Sequence, residues 1–529
     1  MRHLLRSTRS PRTAAAALVV AVVTLAGCGS TVPNAGTGGQ TALVPGNGIG
    51  VPAPDALGQA APAATAGGGV AGSGAGVAPG STGTSGQTVG GANTPGSVAG
   101  SRSGSTTGST SASGDGSVPA KGRGWDEKTV SIGVMTQKDV QAVAEGFGLN
   151  SVDAGDQEKD VEVVIADLNA RGGLFGRKIV AEFYDIASAG DAESQGQAAC
   201  SHFTQDVPVI AVYAMALVGD VPSFRACMKA ATVPVLAAGG QAFDDKVFDE
   251  LDGYYTLMTF PSWSTFAGPF LDRLVAQNFY SGWNTSLGGP GNEEVKTGFL
   301  CPDTPIGRRV GALVRKESAR IGRPLANETY FAAGGGDASG YVLQFKADGI
   351  THVLFCDLGL FVFAQQAESQ RYRPRYGVST FNTPVLFLQG LVPDAQLVGS
   401  MGVGWAPTLD VDYERDPRAS GPPGEAACRD LARKRGLTYA PDRRLAQGIL
   451  YDTCDILALI VRAAEAAGSL TGPGIRQGLG LAGPRLKSAY TWVSGLSPTE
   501  RANPAATRDI AFDTSCRCYR YRGGLLPLR

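Results

Sequence analysis

From Lys128 onward the chain alternates short apolar, β-branched runs with stretches whose apolar residues recur at helical spacing. That alternation predicts βαβ units and a parallel sheet. The run 130–135 is a first strand, and Val161, Val164, Ile165 and Leu168 place a helix over 161–169. Gly172 and Gly173 stop it, and 178–184 is the second strand. A helix over about 191–203 leads to a third strand at 207–213. Another around 224–231 leads to a fourth at 233–237, and 254–258 is the fifth. After Pro261 the rhythm restarts: strand 296–301, helix 306–321, strand 328–331, helix 341–347 with Asp337 as its N-cap, strand 350–356, helix 361–370 and strand 375–379. A long helix, 447–467, and a Cys-rich end follow. Two successive α/β units of similar length predict two similar lobes.

Composition changes the picture at the N-terminal side. Of 529 residues 74 are Gly and 31 are Pro, and the excess over average usage is concentrated in 29–122. There Asp55, Arg102, Asp115 and Lys121 are the only charged side chains. Such a stretch cannot bury enough apolar surface to offset chain entropy and is expected to be a disordered tether. Arg2, Arg6, Arg9 and Arg12 precede a small and apolar run from Ala14 to Ala26. This is the charged and apolar pattern of a secretory signal, too short to span a membrane permanently. It ends in Leu25-Ala26-Gly27-Cys28, the bacterial lipobox pattern, so Cys28 is the expected lipidation site and first mature residue. Acyl chains contribute about 0.8 kcal/mol per buried CH₂, enough when multiple to hold a chain on a membrane. About 95 flexible residues beyond it have an r.m.s. span on the order of 50–60 Å.

The remaining cysteines are Cys200, Cys227, Cys301, Cys356, Cys428, Cys454, Cys516 and Cys518. An even number in an exported chain suggests four disulfides. With a strand order 2-1-3-4 in each lobe, Cys200 pairs with Cys227 on neighbouring helices, and Cys301 with Cys356 on adjacent strands. The last four allow three pairings, with 428–454 and 516–518 preferred although a C-x-C loop is tight.

The net charge of −1 offers no basic patch for nucleic acid. The chain has 3 histidines; His202 and His352 sit in helical and strand patterns that suit satisfied structural roles. No HExxH, GxSxG, P-loop or CxxC pair is present, so neither metal, cofactor nor hydrolytic catalysis is expected.

Residues 169–179, Asn-Ala-Arg-Gly-Gly-Leu-Phe-Gly-Arg-Lys-Ile, form the most specific stretch. Physically it is a helix end with a glycine in the left-handed cap, followed by a turn into strand two. Its wording resembles the type 1 periplasmic solute-binding proteins of the leucine/isoleucine/valine and amide group. The resemblance runs over roughly 128–410, and more weakly to 480. It includes Ser131-Ile-Gly-Val at strand one, 255–268 on entry to the second lobe, and Gly336-Asp-Ala-Ser. It implies an α/β fold of two Rossmann-like lobes with parallel sheets joined by a hinge, holding a solute in the cleft. The domains are then a signal (1–27), the tether (28–123), lobe one (124–260), lobe two (261–402), a return to lobe one (403–482) and a Cys-containing end assigned to lobe two (483–529).

In open parallel sheets ligands sit beyond the strand C-termini, where helix N-termini present free N–H groups. The candidate ligand contacts are therefore Gln137, Tyr213, Gly239, Gly240 and Gln241 on the lobe-one side, with Ser262 and Trp263 on entry to lobe two. Asp303, Thr304, Asp357, Thr380 and Asn382 face them from lobe two. The amino-acid binders of the resembled group carry Ser and Thr hydroxyls for a carboxylate and a lobe-two acid for an amine. Here the matching stretches read Ala214-Met215-Ala216 and Ala238-Gly239-Gly240, with Thr380 at the acid's place and Ile306 where a Tyr is frequent. A buried ammonium without a counter-charge is costly. Unless Asp303 or Asp357 substitutes, a neutral or partly apolar solute suits the cleft better than a zwitterion. The expected function is an extracytoplasmic, lipid-anchored solute receptor feeding ABC permease subunits. The alternative is a surface lipoprotein that uses the same clamp to signal to a partner protein.

Overall fold

The computed structural model describes residues 118–142, 153–188, 190–215, 221–239, 242–331, 338–412 and 421–528. The signal, Cys28 and the tether as far as residue 117 lie outside the described residues, as do Asp337, Gly240 and Gln241. Residues 118–123, grouped by composition with the tether, are held against lobe one. Pro119 accepts from the Trp125 indole and from Arg177, and Arg123 donates to the Ala231 carbonyl at 2.7 Å.

Lobe one is built on a five-stranded parallel sheet in the order β2-β1-β3-β4-β5. Its strands are β1 (Thr129–Thr136), β2 (Lys178–Asp185), β3 (Val212–Ala214), β4 (Val235–Ala237) and β5 (Tyr255–Leu257). Helices α1 (Gln157–Ala170), α2 (Ala192–Ser201), α3 (Pro222–Ala230) and α4 (Asp245–Glu250) connect them. β1 alternates buried and half-buried residues only at its start; Ile132 to Thr136 are all buried, as both faces of a parallel sheet are covered by helices. The α1–β2 turn shows why residues 169–179 read so specifically. Gly173, at φ +68°, returns its N–H to the Leu168 carbonyl. The Asn169 amide then clasps Ile179, accepting its N–H at 2.7 Å and donating to its carbonyl at 2.9 Å. Leu174 is fully buried below.

Lobe two carries a seven-stranded sheet. Its strands are β6 (Thr297–Pro302), β7 (Leu325–Phe331), β8 (His352–Phe355), β9 (Arg375–Ser379) and β10 (Met401–Gly404), followed by β11 (Ala506–Asp513) and β12 (Cys518–Pro527). The order is β12-β11-β10-β9-β8-β6-β7. The part β7-β6-β8-β9 repeats the 2-1-3-4 order of lobe one. Helices α5 (Trp263–Ala276), α6 (Pro305–Arg320), α7 (Ala338–Ala347) and α8 (Leu360–Ser369) flank it. Helices α9 (Glu425–Lys434), α10 (Arg444–Ala467) and α11 (Gly472–Ala482) follow. α9 and α10 pack on α1 of lobe one, and α11 packs on α10.

The third strand, β10 and the β11–β12 hairpin differ from the sequence-based elements, while the disulfides match the expected pairs. The third strand is shorter than 207–213: Pro208 has no N–H to give a ladder, and regular pairing starts at Val212. β10 and the β11–β12 hairpin were not anticipated as strands. The hairpin is antiparallel and forms the edge of the sheet, so the second sheet is mainly, not wholly, parallel. The disulfides are Cys200–Cys227, Cys301–Cys356, Cys428–Cys454 and Cys516–Cys518. The first joins α2 to α3. The second joins β6 to the end of β8.

Candidate functional site

Both sheets end their parallel strands where the chain crosses between lobes, and three crossings meet there. The first is 258–262, between β5 and α5; the second is 405–411, after β10; the third is 483–505, between α11 and β11. Hydrogen bonds lace them together. The Leu257 N–H donates to the Arg501 carbonyl at 2.8 Å, and Asn503 returns its N–H to Leu257 at 2.9 Å. The Asn503 amide donates to Met258 at 3.1 Å, and the Trp405 indole donates to the Thr259 carbonyl at 2.8 Å. A cluster of buried rings fills the space beside them: Phe260 and Trp263 each stack on Phe381, and Phe266 and Trp405 meet it edge-on. Aromatic pairs of this kind add about 0.5–1.5 kcal/mol each beyond their buried area.

Asp410 lies at the centre of the second crossing, fully buried. One carboxylate oxygen accepts from the Thr380 hydroxyl at 2.7 Å; the other accepts from the Ala406 N–H at 3.0 Å and the Tyr521 hydroxyl at 2.6 Å. Thr380 is thereby committed, since its oxygen also accepts the Trp405 N–H at 2.9 Å. Burial pushes the Asp410 carboxyl up to about 7, against the three donors that favour its charge.

The candidate residues fall into three groups. Tyr213, Ser262, Trp263, Thr380 and Asn382 stand at strand or helix ends but are fully or almost fully buried. Tyr213 bonds Thr453 on α10 at 3.1 Å, and Ser262 caps α5 while donating to Asp245. Asn382 accepts the Ser379 N–H and donates to the Asp357 carbonyl. The Trp263 indole N–H has no partner among the described residues. A second group serves the loops: Gln137 donates to Ser188 at 2.6 Å, Thr304 caps α6 by accepting the Gly307 N–H, and the Gly239 carbonyl accepts from Thr259. Asp303 is exposed and pairs with Arg308 through two bonds of 2.7 and 2.9 Å. The third is Asp357, half-buried at the β8 exit, whose charged partner is absent among the described residues. It accepts the Gly359 N–H, and burial raises its carboxyl to about 6.

Sequence reasoning missed Phe260, Phe381, Trp405 and Asp410, because they meet only where separate crossings converge. The two described histidines, His202 and His352, are structural. His352 is buried between Thr351 and the Phe279 carbonyl, with its pKa lowered to about 4 by desolvation, and His202 packs on Tyr184 and Phe203. No group of acids, histidines and cysteines suited to a metal ion occurs among the described residues.

The family model described as periplasmic binding protein matches residues 148–483, well over half of the chain. The chain belongs to the periplasmic binding protein family. Its fold is the type 1 arrangement of that family, and solved structures agree. A branched-chain amino acid ABC transporter protein from Thermus thermophilus with bound valine has a TM-score of 0.56 at 13% identity. That match covers 76% of this chain and 97% of the other. A fatty acid ABC transporter substrate-binding protein from Thermomonospora curvata gives 0.55 at 13% identity, covering 77% and 94%. A periplasmic binding protein type 1 from Bordetella pertussis gives 0.54 at 13% identity, covering 76% and 100%. At such identities the likeness establishes the fold and leaves the solute open. No curated protein matches at the sequence level. In this periplasmic binding protein no helix among the described residues is long and apolar enough to cross a membrane.

Proposed function

We propose that this periplasmic binding protein is the extracytoplasmic, lipid-anchored solute receptor of an ABC importer. It captures a small solute between its lobes and is closed by motion at the three crossings. The observation that supports this reading best is the pair of sheets with the same 2-1-3-4 order, joined by crossings laced at Leu257, Thr259, Trp405 and Asn503. Two strand-exit edges joined this way act as a clamp, and a solute that touches both shifts the population towards closure. The Arg-rich leader ending at Cys28 supports anchoring through acyl chains, and the stretch that follows supports a spacer between membrane and lobes.

The solute is neutral or partly apolar. Near the lobe-two exits Asp303 is paired with Arg308 and Asp410 is wrapped by three donors, which leaves Asp357, its carboxyl raised to about 6 by burial, as the acid an amine would have to use. Thr380, at the place of the resembled group's acid, is itself bound to Asp410. A buried amine that fails to find a counter-charge loses about 3–5 kcal/mol, a factor of several hundred or more in affinity. Calorimetry with leucine, isoleucine and valine tests the solute class: no heat of binding is expected at concentrations near 10 μM, roughly −7 kcal/mol in binding terms. A dissociation constant below that value for any of them overturns it. Deleting the gene and measuring uptake of the solute identified from co-purified material tests the importer role; unchanged uptake overturns it.

A further inference from the structure

Asp244 and Arg309 belong to different lobes. Asp244 precedes α4 in lobe one and Arg309 sits in the second turn of α6 in lobe two. They form a two-bond ion pair: Arg309 Nε donates to Asp244 Oδ2 at 2.5 Å and Nη2 to Oδ1 at 2.8 Å. The Asp244 side chain is 7% exposed and that of Arg309 31%. Among the described residues the two-bond pairs Arg273–Asp509, Arg308–Asp303, Arg315–Glu328 and Arg373–Glu368 each stay within lobe two.

Each partner is a poor local choice that the pair explains. Asp244 occupies the N-cap position of α4, where an Asp side chain ordinarily accepts a backbone N–H of the first turn. It makes no such bond; both oxygens go to Arg309 instead. Arg309 lies near the positive end of the α6 dipole, where a cation is disfavoured. The forked geometry of Arg on carboxylate, largely shielded from water, supplies the compensating interaction. The pair also sits beside the first crossing, where the backbone N–H of Trp263 donates to the Phe243 carbonyl at 2.7 Å. Next to it Ser262 donates to Asp245, and the Asp245 N–H donates to Ser264.

We propose that Asp244–Arg309 is an interlobe latch, holding the solute-free protein in the conformation with the lobes engaged. Breaking it raises the open population and lowers apparent affinity in proportion to the loss of the binding-competent state. The inference rests on the closure reading above. That reading fails separately if a bound solute leaves the interlobe distance of the unmutated chain unmoved.

The test uses the full chain without added solute, spin-labelled through keto-bearing side chains introduced at exposed Leu343 and Lys434 so that the disulfides remain intact. Pulsed dipolar spectroscopy reads the distance between lobes. Asp244→Asn and Arg309→Gln are each expected to add a longer-distance population, about a tenfold shift in the open-to-closed ratio, or 1.4 kcal/mol. The double variant is expected to match the single ones, because each already breaks the same pair. Arg309→Lys, which keeps the charge but not the fork, is expected to fall between. Should Asp244→Asn not fold, Arg309→Gln alone reads the same distance. Unchanged distributions in Arg309→Gln, or a double variant whose shift is the sum of the two, would overturn the latch.

Discussion

Trp405 donates its indole N–H to the Thr259 carbonyl across 146 residues of sequence, at 2.8 Å and in full burial. The bond ties the second crossing to the first, in a place where each lobe ends and the other begins. Its backbone N–H is also spent, on Thr380 Oγ1. Trp405 thus joins the first crossing, the second and the β9 exit.

Trp405→Phe keeps most of the ring packing but leaves the Thr259 carbonyl without this donor. An unsatisfied buried acceptor costs about 1–3 kcal/mol. Urea unfolding should show a stability loss of that size, read as the lowered midpoint multiplied by m, with solute affinity reduced as well. An unchanged midpoint would mean that the crossings are held elsewhere.

Asp410 predicts a pH dependence whose sign is fixed by its raised pKa. The unfolded chain releases this proton near the ordinary carboxylate value of 3.8, the folded chain near 7. The contribution of Asp410 to stability is therefore fully present below about 3.8 and is lost as pH rises through about 7. Asp410→Asn, which cannot ionise, should be destabilised relative to the parent at pH 5. Its deficit should shrink by pH 8. Denaturant midpoints of the two proteins across that range check it; a deficit that grows with pH contradicts the assignment.

The disulfides should not contribute equally. Cys301–Cys356 and Cys200–Cys227 close separations of 55 and 27 residues, Cys516–Cys518 only 2. Chain-entropy estimates give about 4 kcal/mol for the long loops and about 1 for the short one. Replacing both cysteines of the 301–356 pair by Ala should lower the melting temperature markedly more than the same change at 516–518. Equal losses would contradict that ordering.

Much of the scaffold is legible in the chain because its strands are buried on both faces and β-branched, and because glycines end its helices. Residues 169–179 state their own helix end and turn, while the Asn169 side chain that clasps strand two was visible only in the structure. The cysteine pairs of the two lobes follow from strand order, since a shared 2-1-3-4 arrangement makes Cys301 and Cys356 neighbours. The β11–β12 hairpin was not legible. Arg508, Arg520 and Arg522 interrupt its apolar residues on the part left wet, while Asp509 is buried and held by Arg273, a partner far away in sequence. The site was legible only as a set of strand exits. Which of those side chains turn inward is decided by partners far away in sequence, as when Asp410 takes Thr380 or Thr453 takes Tyr213. Local pattern carries no trace of such choices.

Cys28, outside the described residues, carries a separate expectation. Cys28→Ser should move the protein from the membrane fraction to the soluble extracytoplasmic fraction and remove the acyl mass from its mature N-terminus. Unchanged fractionation with an unchanged mass would contradict lipid anchoring.

Capture of a solute between the lobes is tested most directly by hydrogen exchange of the purified chain, with and without a low-molecular-weight extract of the producing cell's growth medium. Binding in the cleft predicts simultaneous slowing in segments from both lobes: around 137–142 and 242–245 on one side, and 303–307 and 357–360 on the other. Protection confined to one lobe, or absent while a bound small molecule is found by mass, would contradict the account.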